Sequence, residues 1–341
     1  MLLAGCGFGG HGGDHRAASA NAAAALAADP GGGIAGRLSS SCRARLARAE
    51  SASRTRVAGL RKLDDRRAAL DRSLTPERRA LKRLETRSDA AFRQATAHPT
   101  ATLVAASRAS DRAANAAVAA YNARVDLYNA TLRRLDALVG REAAAGRGYD
   151  TALRRCLIAI RDWPSATRRI EGLLVRPAAA AGTRQPSVAC DRPAERTPSR
   201  YDETGFVNGH SNVIHLSAPT CFGLERLLTH PDAFACAKVV RRSFENCPVA
   251  DGAAVVALIT LVHEQQHVDG VVDEAVAQCD ALQKTALAGV AAGLPVAVAR
   301  RVAAYTNEAI DQPREYHSRM CRSGGGLDLH LPGAPSTWIF R

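Results

Sequence analysis

The chain has 341 residues, enough for two domains of ordinary size, and its 46% apolar content leans on alanine because only 7 Phe, 6 Tyr and 2 Trp are present. Alanine favours helix and buries little surface, so the composition predicts a mainly α protein with long, thin helical packing over part of its length. The formal charge of +13 comes mostly from arginine and reads first as solvated helix faces, although nucleic acid, an anionic membrane or an acidic wall polymer would suit it; no run of about 18 apolar residues is present to span a membrane, and no G-x-x-x-x-G-K-S/T loop points to a nucleotide.

The first residues read MLLAGCGFGGHGGDH. Leu3-Ala4-Gly5-Cys6 resembles a bacterial lipobox, the tetrapeptide cleaved before a cysteine that then carries a lipid, and a glycine-rich tether follows it. Five residues precede Cys6, fewer than the apolar core of about 7–15 residues that a secretory signal needs, so either the true start lies upstream of Met1, the reading preferred here, or the tetrapeptide is a chance match. Setting Cys6 aside leaves eight of the nine cysteines, an even number that suits disulfides in an oxidising compartment.

From Gly36 to about Arg161 the pattern is helical almost throughout. Val118, Tyr121, Val125, Tyr128, Leu132, Leu135 and Val139 recur at alternating spacings of three and four, a heptad seam that packs one helix along another. Leu46, Leu60, Leu63, Leu70, Leu74, Leu81 and Leu84 form a looser stripe upstream, and Thr75-Pro76-Glu77 reads as a cap with proline in the first turn, predicting a break. The stretch AHPTAT around Pro99 is the best reversal point. Cys42 lies 57 residues before Pro99 and Cys156 lies 57 after it, so two antiparallel arms would place these cysteines opposite each other. This predicts a Cys42–Cys156 disulfide closing a helical hairpin roughly 80 Å long if both arms are straight.

Residues 175–200 are rich in Pro, Ala and Arg without apolar periodicity and read as a linker. Beyond them, NVIHLSAPTC (212–221) is the best strand, PTCFGLERLLTH a short helix, and Asp251 a plausible N-cap for the apolar helix GAAVVALITLVHEQQHV. A further helical stretch runs from about Glu274 to Thr306. Cys190, Cys221, Cys236, Cys247, Cys279 and Cys321 allow 15 connectivities, which sequence alone leaves open.

His263-Glu264-Gln265-Gln266-His267 matches H-E-x-x-H. Residues four apart on a helix differ by only about 40° in direction, so both imidazoles face one metal ion, and Glu264 beside the first is placed to act as a general base. A third ligand is needed, and two acids offer it. Asp273 completes H-E-x-x-H-x-x-G-x-x-D; Glu274 opens the next helix, EAVAQC. Glu274 lies seven residues past His267, about 10 Å along a straight helix, so it becomes a ligand only if the chain turns near Gly270, in VDG. The reading prefers Glu274 as ligand, with Asp273 as helix N-cap or as a hydrogen-bond partner of a histidine.

The order strand, H-E-x-x-H helix, second helix resembles the zincin metallopeptidases over about residues 201–322. The glutamate type (gluzincin) fits better than the metzincin type, whose methionine turn has only Met320 as a counterpart. The stretch H-E-x-x-H…G-x-x-D-E-A-x-A-x-C, with Glu315, Tyr316, Cys321, Gly324 and Gly325 later, is also similar to exported actinobacterial zincin-like lipoproteins. The resemblance implies zinc on His263, His267 and Glu274, water activation with Glu264 as proton shuttle, and a strand at the site that holds the substrate backbone by β-pairing. It also offers Tyr316 or His317 as a hydrogen-bond donor to the oxyanion, although ordinary packing suits both. His210 and His215, beside the strand, read as surface residues.

The expected organisation is a lipobox-like start and tether (1–35), an antiparallel helical, coiled-coil hairpin (36–174), the linker (175–200) and a small α+β zincin-like domain (201–341). The expected function is a zinc-dependent metallopeptidase of the cell envelope acting on a peptide or protein, anchored to the membrane by a lipid on Cys6. The alternative is a non-catalytic envelope lipoprotein whose hairpin binds a protein partner and whose zincin-like domain is inactive. No nucleic-acid partner is expected.

Overall fold

The computed structural model describes residues 32–193, 204–209, 211–234, 236, 247–309, 316 and 318–331. Cys6, His210 and His317 lie outside them. The described chain is mainly helical with one small sheet. In order come α1 (Ile34–Arg37), α2 (Ser40–Ala97), α3 (Ala101–Ile158), α4 (Trp163–Ala181), β1 (Ser187–Asp191), β2 (Gly205–Val207), β3 (Val213–Ser217), α5 (Ala218–Thr229), a 3-10 turn (Pro231–Ala233), α6 (Val249–Val268), α7 (Glu274–Ala291) and α8 (Val296–Ala309). No described helix is long and apolar enough to cross a membrane. The chain divides into two compact units, residues 58–141 and the remainder.

Residues 58–141 hold the facing parts of α2 and α3. The seven seam residues from Val118 to Val139 are each half-buried, while Arg124, Arg133 and Arg134 between them are exposed. Cross-pairs Ser88–Asp111 and Glu77–Arg124 join the helices, so they run antiparallel here. The expected break at Pro76 does not occur, since α2 continues through it. Proline removes one backbone donor. Arg72 and Pro76 both lie on the exposed face, where solvent can satisfy the freed carbonyl.

The larger unit is built around α6. This helix is apolar on nearly every side, as a helix at the centre of a core should be. Leu258 and Leu261 of α6 pack in one cluster with Ile170 and Leu174 of α4, Ile214 and Leu216 of β3, Leu224 of α5, and Leu46 and Leu157 at the ends of α2 and α3. Four disulfides staple the described chain: Cys42–Cys156, Cys190–Cys221, Cys236–Cys247 and Cys279–Cys321. The Cys42 and Cys156 Cα atoms lie 5.7 Å apart.

Three further expectations need correction. Residues 175–200 are not a linker in their described part: α4 runs on through Pro177 to Ala181, and Ser187–Asp191 form β1. The alanines that looked like a spacer are core packing, for Ala178 and Ala181 are buried on the same face as Leu174. Asp251 is not the cap of α6, which starts at Val249 after Pro248. Instead Asp251 is buried in the first turn, paired with Arg54 at 3.3 Å and Arg226 at 2.9 Å, and both arginines also meet buried Glu50. The helical stretch after Glu274 is two helices, parted at Gly293, whose φ of +93° suits glycine, and at Pro295, just before α8.

The sheet order is β1-β3-β2. β1 runs parallel to β3, with Cys190 opposite Leu216, and β2 runs antiparallel, with Phe206 opposite His215. The strand read as lying at the site, 213–217, is therefore the central one, and β2 is the edge strand that lies against α6. Thr204 and Ser217 share a ladder bond, which by alternation turns the N–H and C=O groups of Gly205 and Val207 outward.

Candidate metal centre

His263 and His267 sit in the last two turns of α6. The helix then stops in a Schellman turn: Gly270 N–H donates to His267 O and Val271 N–H to Gln266 O, each at 3.0 Å. Gly270 has φ +96°, which only glycine adopts at low cost. The turn sends the chain back so that α7 begins beside the end of α6. Asp273 caps α7 by accepting from Val276 N–H at 2.9 Å, which uses its side chain in the helix start. Glu274, next in the first turn, points its carboxylate at both histidines.

The three groups converge. Nε2 of His263 and Nε2 of His267 are 3.1 Å apart, and Glu274 Oε2 lies 3.0 Å from the first and 3.4 Å from the second. This is the one group of three or more His, Cys, Asp or Glu among the described residues that can hold a metal ion. His263 is buried, His267 intermediate and Glu274 the most open of the three.

Each imidazole is held from behind. His267 Nδ1 lies 2.7 Å from Val271 O, and a carbonyl only accepts, so Nδ1 carries the proton and Nε2 offers its lone pair. His263 Nδ1 lies 3.0 Å from Gln278 Oε1, one turn beyond Glu274 on α7. With Nδ1–H donated there, Nε2 of His263 is a lone pair as well. Burial lowers the His263 pKa from 6.5, the neighbouring His267 lowers it further, and Glu274 opposes both, so the neutral imidazole is favoured.

The glutamines inside the motif are anchors. Gln265 Nε2 donates to Arg184 O and Gln266 Nε2 to Ala181 O, fixing α6 to the chain that leaves α4. Asp269 accepts from the Thr183 and Arg184 N–H groups at 2.9 Å each. Glu264 is buried beside the edge strand, where a Cβ added to Gly205 would come within 3.1 Å of Glu264 Cγ and 2.7 Å of Thr260 Cγ2. Glycine at 205 is what lets β2 lie this close to α6.

Tyr316 reaches the site, its ring centroid 5.6 Å from that of His263. The Cys279–Cys321 disulfide ties the following segment to α7, and Gln283 fixes it further by donating to Leu327 O and accepting from Leu329 N–H. Met320 is 53% exposed, which does not suit a methionine packed beneath a metal. His215 is also elsewhere, stacked on Phe206 at 4.7 Å with Nδ1 3.0 Å from Asp191 Oδ1. The sequence reading did not single out Gln278, Val271 O or Gly205. Only Gln278 left a signal, standing four residues after Glu274 on one helix face. An apolar cavity of about 350 Å³, lined in part by Asp150 and Arg154, is bordered by Val249, Ala253, Val256 and Ala257 of α6, about two to four turns before His263.

Comparison of the chain with protein-family models, curated proteins and solved structures finds no match.

Proposed function

We propose that the protein is a zinc-dependent peptidase of the cell envelope, and that His263, His267 and Glu274 hold the zinc. The observation that carries this is the convergence of three acceptor atoms, two imidazole lone pairs and a carboxylate oxygen, on one point. Such atoms repel unless a cation stands between them. Three donors arranged tetrahedrally at about 2.1 Å from a zinc ion lie about 3.4 Å from one another, close to the 3.0–3.4 Å found here. The donor set of two imidazoles and one carboxylate suits zinc and leaves a fourth position for water or substrate.

Bound zinc supplies a Lewis acid that polarises a carbonyl and lowers the pKa of water. The chain's own groups do the rest. Val271 O and Gln278 hold the imidazoles in the tautomer that binds metal. Glu264 takes a proton from the attacking water and passes it to the leaving amine. The outward Gly205 and Val207 backbone groups pair with an extended substrate, and Tyr316 is the residue near enough to His263 to donate to a developing oxyanion. Four disulfides favour an oxidising compartment, consistent with export and with a lipid on Cys6.

The test is elemental analysis of the purified chain, followed by peptide-library cleavage with wild type and Glu264→Gln. Near-stoichiometric zinc and cleavage that the substitution abolishes are expected. Absence of zinc after purification and reconstitution overturns the reading. Zinc without any Glu264-dependent cleavage favours the non-catalytic envelope protein.

A further inference from the structure

Residues 58–141 contain 17 Lys and Arg against 9 Asp and Glu, and their cations fall into two kinds. Arg67 is paired with Asp64 at 2.8 Å and Arg124 with Glu77. Arg72, Arg79, Lys82, Arg83, Arg87 and Arg93 are exposed, and none of them pairs with a carboxylate of the described residues.

These six lie on one face of α2. At about 100° per residue they spread from about −80° to +60° around the Arg72 direction, over a length of roughly 32 Å. The carboxylates of Asp71, Glu77, Glu85 and Asp89 all point about 100° or more away from that direction. Between the cations this face carries Thr75, Pro76, Thr86, Ala90 and Gln94, which are small or neutral. Arg79 with Lys82, Arg79 with Arg83, and Arg83 with Arg87 are like-charged neighbours at helical spacings of three and four, each of which destabilises the helix slightly. The helix does not need them for its own stability.

We infer that this stripe is a docking surface for an extended, base-free phosphate polymer. Its cations succeed one another along the helix at rises of about 1.5–10.5 Å over a total of about 32 Å, which suits a linear polyanion better than a compact anion. The face has no large apolar residue, whereas a helix that lies in a membrane interface buries a broad apolar face. It also has no aromatic residue on which nucleic-acid bases could stack, since the nearby exposed Phe92 points about 160° away from Arg72.

The experiment measures binding of long-chain inorganic polyphosphate to the full chain between about 50 and 200 mM salt, the range over which phosphate contacts weaken. Wild type binds, with log affinity falling linearly in log salt. Arg79→Gln/Arg83→Gln/Arg87→Gln weakens binding roughly tenfold or more and flattens that slope. Arg108→Gln/Arg112→Gln/Arg134→Gln, an equal charge change on α3, leaves affinity within about twofold. Circular dichroism checks that both variants stay helical. The inference is overturned if wild type does not bind, or if both triple variants weaken binding equally. It is also overturned if phosphatidylglycerol vesicles or single-stranded DNA bind more tightly than polyphosphate.

Discussion

The imidazole of His267 donates through Nδ1–H to the carbonyl of Val271, 2.7 Å away across the turn that ends α6. The two residues are four apart, yet the contact is not helical, because Gly270 has already reversed the chain. One local turn thus stops the helix, fixes the tautomer of His267 and delivers Glu274 to the same point. Gly270→Val is expected to cost about 1–2 kcal/mol of stability, because a β-branched residue resists positive φ. It should also lower zinc affinity by roughly 10–100-fold, as loss of ligand orientation does. Chemical denaturation and chelator competition measure the two effects.

The two acids after the turn have separate tasks. Glu274→Ala is expected to weaken zinc binding by more than about a hundredfold, beyond the range for loss of an outer hydrogen-bond partner. Asp273→Ala should leave zinc in place and cost about 1 kcal/mol through the lost cap. Titration calorimetry with zinc on both variants separates them, and a reversed order would make Asp273 the ligand.

Glu264→Gln keeps the shape of the side chain and removes its basicity. Zinc content should be unchanged and peptide cleavage reduced by roughly 10²–10⁴-fold, the usual contribution of a general base. Turnover of a cleaved library peptide, measured beside the metal content, reads this directly.

Asp251 stands between buried Arg54 and largely covered Arg226. Asp251→Ala leaves both with less compensation and is expected to destabilise the larger unit by about 3–5 kcal/mol. Urea unfolding measures it. An effect below about 1 kcal/mol would show that Glu50 compensates for both arginines on its own.

Asp150 is exposed as a residue, but neighbouring atoms partly desolvate its carboxylate, which raises its pKa, while Arg154 pulls it down. Its folded pKa lies above the ordinary 3.8, so the charged form opposes folding at neutral pH and that penalty fades as pH falls through the folded value. Asp150→Asn should therefore raise the melting temperature slightly at pH 7, with the gap closing toward pH 3. Paired thermal melts across that range test the sign.

Much of the site is legible in the chain because its determinants are local. The spacing of His263 and His267, the glycine at 270 and the acids at 273 and 274 lie within one short stretch, and a turn at Gly270 is what brings Glu274 back. The even spacing of Cys42 and Cys156 about Pro99 is likewise a matter of counting. What the sequence conceals depends on distant partners. Val188 and Cys190 read as linker because a parallel strand such as β1 is defined by β3, some 26 residues away in register. Asp251 looked like a cap because its arginine partners, Arg54 and Arg226, come from α2 and α5. Pro76 looked like a break because sequence does not reveal that its side of α2 faces solvent.

All three converging donor atoms come from twelve consecutive residues, His263 to Glu274. Few residues need ordering to bring them together, so closing the site carries a small loop entropy compared with the 114-residue separation bridged by Cys42–Cys156. If the site takes the proposed zinc, its capture would be a low-contact-order event able to precede oxidation of the cysteines. An ion seized at that stage would act as a folding template, holding the end of α6 against the start of α7 while the rest of the molecule assembles around them.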